Sequence, residues 1–148
     1  MVQAVPEALR KVFGAALVAV ALFGSRARGD SRADSDLDFY VLVNGLPADP
    51  FERARVLSNA LPSQVAHCLN VLARTVEEFE TDITPLHLDL AVDARILFDT
   101  EGYLASRLEM VRRRIREAGL ERKPDLVWRW QTTPRTCDWS IRWDGVRR

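Results

Sequence analysis

Gly24-Ser25-Arg26-Ala27-Arg28-Gly29-Asp30-Ser31-Arg32-Ala33-Asp34-Ser35-Asp36-Leu37-Asp38 is the stretch on which the reading of this chain turns. Before it runs Val18-Ala19-Val20-Ala21-Leu22-Phe23, an apolar run of the length of a buried strand. After it Leu37-Asp38-Phe39-Tyr40-Val41-Leu42-Val43 reads as a second strand, stopped by the turn signal Asn44-Gly45. A strand thus ends in Gly-Ser, a polar loop follows over residues 24–35, and the next strand opens on Asp-x-Asp. Side chains alternate along a strand, so Asp36 and Asp38 project the same way, about 6.5–7 Å apart, while Leu37, Phe39 and Val41 point into a core. Two such carboxylates repel unless a cation lies between them, and they can hold a pair of magnesium ions about 3.5–4 Å apart. The glycines let backbone N–H groups come close to an anion, and Ser25 adds a hydroxyl donor. Phosphate donors beside paired magnesium ligands are what phosphoryl or nucleotidyl transfer requires.

Working outward, Pro6 in a first helical turn and Leu9, Val12, Phe13, Ala16 and Leu17 at three- to four-residue spacing predict an amphipathic helix before the first strand. Arg10-Lys11 ahead of an apolar stretch mimics a secretory leader, but no small-x-small cleavage site precedes Gly24, so helix plus strand is the expected reading. Asp49-Pro50 predicts a helix over residues 51–61, ended by Pro62. Residues 65–73 read as a third strand, and Thr75-Val76-Glu77-Glu78 has capping-box spacing for a short helix through Glu80. Leu86-His87-Leu88-Asp89-Leu90-Ala91-Val92 alternates cleanly and reads as a fourth strand; Ile96-Leu97-Phe98 is a short fifth. Leu104, Leu108, Val111, Ile115 and Ala118 recur at helical spacing, with Gly119 as C-cap. Beyond Lys123-Pro124 comes a tail holding all four tryptophans.

A third carboxylate is needed to complete a metal site. On the expected fourth strand His87, Asp89, Ala91 and Asp93 share the face opposite the leucines, and an aspartate midway along a buried strand is costly without a partner. Asp89 is the candidate, with Asp93 the lesser one; His87 reads as a satisfied structural histidine.

The 148 residues make one domain, with 47% apolar and 28% charged side chains, which excludes wholesale disorder. Two cysteines, Cys68 and Cys137, are too few for a disulfide scaffold and point to a reducing, cytoplasmic setting; no apolar run is long enough for a membrane span. The net charge of zero hides an asymmetry: residues 1–102 carry −6 and residues 103–148 carry +6. The arginines of the last helix read first as a solvated face, and an acidic partner or RNA is the other reading. Asp34-x-Asp36-x-Asp38 also mimics a calcium loop, but Phe39 stands where that loop needs glycine and Gly45 where it needs glutamate.

Gly24-Ser25, ten intervening residues, then Asp36-Leu37-Asp38 resembles the minimal nucleotidyltransferase branch of the DNA polymerase β-like superfamily, as do Arg-Ala-Arg-Gly after Ser25 and Asp-Ser before Asp36. The resemblance spans about residues 10–100. It implies an α+β fold with a small mixed sheet flanked by helices, followed here by a C-terminal helix and Trp-rich tail. The expected organisation is a nucleotidyltransferase domain over residues 1–123 and an extension, 124–148, packed on it. It further implies a two-metal Mg²⁺ site at Asp36, Asp38 and Asp89, and ATP or another NTP as donor. Gly24 and Ser25 would hold the phosphates. Arg26 and Arg28 either reach the triphosphate or pair with Asp30 and Asp34. An acceptor hydroxyl would attack the α-phosphate, pyrophosphate would leave, and Asp89 would serve the attacking oxygen.

The shortest relatives carry their third aspartate on the strand where this chain has Leu69-Asn70-Val71, and Asn70 is a poor magnesium ligand by charge. The resemblance implies transfer of an NMP, AMP from ATP, by an antitoxin acting on a HEPN-type toxin partner. The alternative is a nucleotide-binding, toxin-neutralising module with weak or no turnover. RNA is the less favoured partner, and self-association, base preference and the role of the tail stay open.

Overall fold

Strand β1 (Leu17–Phe23) is the centre of the molecule, because every side chain from Leu17 to Leu22 is buried. The structure is a computed structural model of the chain that describes residues 1–132 and 140–147. Ahead of β1 lie α1 (Ala4–Phe13) and a 3-10 turn, Gly14–Ala16. After β1 come α2 (Gly24–Arg28) and β2 (Leu37–Val43), which runs antiparallel to β1 with Phe23 opposite Asp38. Helix α3 (Pro50–Ala60) then crosses to β3 (Leu69–Arg74), which lies parallel to β2. Two helices, α4 (Val76–Thr81) and α5 (Pro85–Asp93), lead to β4 (Arg95–Asp99), antiparallel to the other edge of β1. The sheet order is β3-β2-β1-β4, a small mixed sheet as expected. Helix α6 (Tyr103–Ala118) follows, then two ribbons, β5 (Leu120–Arg122) with β6 (Trp128–Trp130) and β7 (Ser140–Arg142) with β8 (Gly145–Arg147).

Both faces of the sheet are covered, which is why β1 and most of β2 read as continuous apolar runs. On one face Val20, Leu22, Phe39 and Val41 meet Val5 and Leu9 of α1 and Leu57 of α3. On the other, Ala19, Ala21, Tyr40 and Leu42 meet Phe79, Leu88, Leu90, Leu104 and Leu108. Leu17 and Val20 share a face although three residues apart; a register shift between Leu17 and Ala19 accounts for it.

The caps anticipated from sequence are present. Asp49 accepts from Glu52 N at 2.9 Å with Pro50 opening α3. Thr75 Oγ1 accepts from Glu78 N, and Glu78 Oε2 accepts from Thr75 N, each at 3.1 Å. Residues 65–68, expected to begin the third strand, instead include a 3-10 turn, Ala66–Cys68, in which half-buried Cys68 donates to Val65 O at 3.1 Å.

The main correction concerns residues 86–92, which are helix rather than strand. Thr84 caps and Pro85 opens α5, and buried His87 closes the cap: its Nδ1 accepts from Thr84 N at 3.1 Å while Nε2 bonds Phe79 O at 2.9 Å. Over so short a run, four apolar residues at alternating positions suit either period. The Thr-Pro start signal was the discriminating feature.

The arginines of α6 also differ from the expected solvated face. Arg107 pairs with Glu80 at 2.6 Å and lies over the Trp143 ring; Arg112 donates to Ala91 O at 2.7 Å; Arg114 donates to Trp143 O at 2.8 Å. These three knit the helix to its surroundings, leaving Arg113 and Arg116 exposed. Trp143 packs on Phe79 and His87, with centroids at 5.4 and 5.6 Å, closing a small aromatic cluster. Trp139 and Cys137 lie outside the described residues. No helix among the described residues is long and apolar enough to cross a membrane.

Asp99 at the end of β4 accepts from Leu104 N at 2.8 Å and Ala105 N at 2.9 Å, satisfying two orphan donors at the start of α6. Asp99→Ala should cost about 1–2 kcal/mol, measured by urea unfolding. Burial holds the His87 pKa below its usual value, against the raising effects of the Phe79 carbonyl and Asp82. The fold therefore favours neutral imidazole: its contribution is complete above about pH 6.5 and is lost as pH falls below it. The loss of stability between pH 7.5 and 5.5 should be smaller in His87→Asn than in the wild type, measured by urea unfolding at each pH.

Candidate functional site

The Gly-Ser turn and the Asp-x-Asp strand meet because β1 and β2 are paired. Phe23 lies opposite Asp38, so the next residue, Gly24, turns over the Asp38 side chain. Gly24 has φ +71°, and a Cβ there would collide with Asp38 Oδ2. Position 24 therefore requires glycine twice over, for its backbone and for its space. Asp36 is exposed immediately before β2, and Asp38, the second residue of β2, is half-buried.

Ser25 sits in the single turn of α2, and its carbonyl accepts from Gly29 N at 2.9 Å and Asp30 N at 3.2 Å. Arg26 spends its guanidinium on the loop: Nη2 donates to Ala33 O and Ser35 O, both at 3.0 Å, and Nε donates to Ser35 O at 3.2 Å. It closes the segment between Gly29 and Asp36 so that Asp36 arrives beside the turn. Arg28 pairs with Asp30 at 3.0 Å and reaches Asp93 at 3.4 Å. Of the two pairings considered from sequence, Asp30 is therefore present, and Asp93 stands where Asp34 was considered.

The third carboxylate is where sequence and structure part. With residues 85–93 helical, Asp89 is on α5, not on a strand next to β1. Its Oδ1 accepts from Trp128 Nε1 at 2.8 Å and from Arg122 Nη1 at 3.3 Å. Asp93, four residues on, receives both Arg122 nitrogens at 2.6 and 2.7 Å. On a helix these carboxylates are about 5–6 Å apart, one guanidinium's reach, whereas on a strand they would stand about 13 Å apart. What lies beside Asp38 is Asn70, its parallel partner on β3, whose Nδ2 donates to Asp38 Oδ1 at 2.9 Å. Among the described residues no group of three His, Cys, Asp or Glu could hold a metal ion. The donor set of Asp36 and Asp38 still fits magnesium, which commonly takes one or two carboxylates and completes its shell with water and substrate phosphate oxygens. Arg122 went unnoticed in the sequence: nothing local marks it, and only a helical reading of Asp89 and Asp93 as a pair four residues apart would have called for a cation.

Comparison with known proteins bears on this geometry. The family model described as polymerase beta, nucleotidyltransferase matches residues 7–101, which include most of α1, the whole sheet and both aspartates. The chain belongs to this family. Its chemistry is accordingly of the nucleotidyltransferase class. A Methanocaldococcus jannaschii protein with the provisional name protein adenylyltransferase is 27% identical over 107 residues, covering 70% of this chain and 73% of that protein. A crystal structure of a toxin-antitoxin with AMP-PNP has a TM-score of 0.55 at 18% identity, covering 78% of this chain and 90% of that one. A Sulfolobus solfataricus protein provisionally described as a nucleotidyltransferase has a TM-score of 0.50 at 23% identity, covering 68% and 78%. The two structures share the fold of this nucleotidyltransferase chain.

Gly24→Ala tests the close approach. A left-handed backbone on an L residue costs about 1–2 kcal/mol, and the added methyl displaces Asp38. A lower melting temperature than the wild type, measured by calorimetry, is expected of the variant.

Proposed function

We propose that the chain is a magnesium-dependent adenylyltransferase that moves AMP from ATP to a hydroxyl on a protein acceptor. The observation that carries this reading is Gly24 seated on Asp38 with no room for a Cβ, which puts a backbone able to approach phosphates against a carboxylate able to share magnesium with them. In the proposed reaction Gly24 and Ser25 hold the β- and γ-phosphates, and Asp36 and Asp38 are the protein's metal ligands. Magnesium would supply charge neutralisation at the phosphates. The acceptor oxygen forms a bond to the α-phosphorus and gives up its proton to water, the bond from the α-phosphorus to the bridging oxygen breaks, and pyrophosphate leaves with that electron pair. Asp89, engaged by Arg122 and Trp128, is not in the proposed set; its place in the fold is structural.

The acceptor we favour is a HEPN-type toxin encoded beside this chain, which would make the chain its antitoxin in the cytoplasm. Support comes from the protein adenylyltransferase name of the Methanocaldococcus relative and the toxin-antitoxin origin of the AMP-PNP structure. With Arg107, Arg112 and Arg114 engaged in contacts within the chain, the exposed arginines that α6 offers such a partner are Arg113 and Arg116. RNA is not favoured for the same reason.

One observation favours a second reading. Asn70 presents a neutral amide to Asp38 where a third carboxylate would add charge, and a two-carboxylate site suits a module that binds nucleotide and neutralises its partner with slow turnover. Incubation with α-labelled ATP, Mg²⁺ and the co-purified neighbouring protein separates the readings. Wild type should label the partner, Asp36→Asn and Asp38→Asn should lose at least a hundredfold in rate, and Asn70→Asp should retain or raise it. Nucleotide binding without label transfer would decide for the module.

A further inference from the structure

The β5–β6 ribbon lies beyond the residues that the family model matches, yet one of its side chains grips a carboxylate of α5 that also pairs with the last residue of α2. Arg122, the last residue of β5, grips Asp93 with both terminal nitrogens at 2.6 and 2.7 Å. The Asp93 side chain is only 6% exposed and that of Arg122 15%. The same carboxylate takes Arg28 at 3.4 Å, and Arg28 is the last residue of α2. Arg122 is itself braced by Asp89 at 3.3 Å and lies 5.9 Å from the Trp128 ring centroid, while Trp128 bonds Asp89. Burial alone would raise the Asp93 carboxyl pKa; the Arg122 hydrogen bonds and charge, with Arg28 behind them, outweigh it and keep the group ionised.

Helix α2 has five residues, too few to persist alone. Its far end is tethered by Arg28 to Asp30, an exposed partner that contributes little, and to Asp93, which is nearly buried. Without Arg122 the Asp93 charge would have only the looser Arg28 contact, and a buried carboxylate so poorly compensated must draw Arg28 inward or take up a proton. The first shifts α2 and Ser25 with it; the second releases Arg28, and so the far end of α2, from its ion pair. We propose that Arg122 and Asp93 are positioning residues for the nucleotide site, anchoring α2 through Arg28 so that the C-terminal ribbon sets the affinity for nucleoside triphosphate. The inference rests on the proposed adenylyl-transfer reading for its functional consequence and on geometry alone for the anchoring.

The test uses the full chain with Arg122→Gln, Arg122→Lys and Asp93→Asn. Hydrogen exchange at the Gly29 and Asp30 amides, both bonded to the Ser25 carbonyl, reports α2 without any nucleotide. Calorimetry with Mg²⁺-ATP and steady-state transfer report the site. Arg122→Gln should exchange at these amides at least tenfold faster, while exchange in the β1–β2 sheet is unchanged. It should bind Mg²⁺-ATP about tenfold more weakly, with the loss falling on KM. Arg122→Lys, which keeps the charge but not the fork, should be intermediate. If Arg122→Gln does not fold, Asp93→Asn, which removes the buried charge itself, is read in the same way. Unchanged exchange at Gly29 and Asp30 in a folded variant overturns the anchoring, and faster exchange with unchanged ATP affinity overturns its effect on the site. A wild type that binds no ATP overturns the adenylyl-transfer reading and the effect on affinity with it, and exchange still decides the anchoring.

Discussion

The antiparallel pairing of β1 with β2 is the constraint on which the site depends. It sets Phe23 against Asp38, and every later feature follows from that register. Gly24 must turn over the aspartate, the loop must return within a dozen residues, and Arg26 must hold that return by bonding the carbonyls of Ala33 and Ser35. A slip of one residue would turn Asp38 into the core and Phe39 outward. The register is protected because both faces of the sheet are packed, with Phe39 against α1 and α3 and Tyr40 against α4 and α5. Packing energy spent far from the site thus fixes the position of one carboxylate.

Around this centre the charges divide into two groups with different work. Asp36 and Asp38 lie where solvent and ligand can reach them and have no guanidinium partner among the described residues. Asp89 and Asp93 are committed to Arg122 and Trp128 of the C-terminal ribbon and to Arg28 of α2. A carboxylate gripped by an arginine fork is a poor candidate for divalent metal, since its lone pairs are engaged and its charge is compensated. An open pair next to a phosphate-accessible turn is a good one. Asn70 belongs to the first group by position and lowers its charge.

The local signals in the sequence carried the sheet centre and the turn. Gly-Ser, the ten-residue spacing and the apolar runs on either side depend on backbone properties of neighbouring residues, so they survive in one dimension. The caps at Asp49 and Thr75 were legible for the same reason. Residues 86–92 were misread because alternation over seven positions suits a strand and a buried helix alike; the Thr84-Pro85 start was the local signal that separated them, and Leu88, Leu90 and Ala91 are buried with the α6 leucines. That single exchange of period carried Asp89 away from the proposed metal site. The Arg122 fork, the Trp143 cluster and the inward arginines of α6 are contacts between distant segments; composition shows that basic and aromatic residues are abundant there but not what they touch.

The most direct test is a crystal structure of the wild-type chain with a non-hydrolysable ATP analogue and Mn²⁺ as an anomalous stand-in for magnesium. The account predicts an anomalous peak between the Asp36 and Asp38 carboxylates, with the triphosphate lying along Gly24 and Ser25. A nucleotide bound elsewhere, or an anomalous peak at Asp89 and Asp93 with Arg122 displaced, would contradict it.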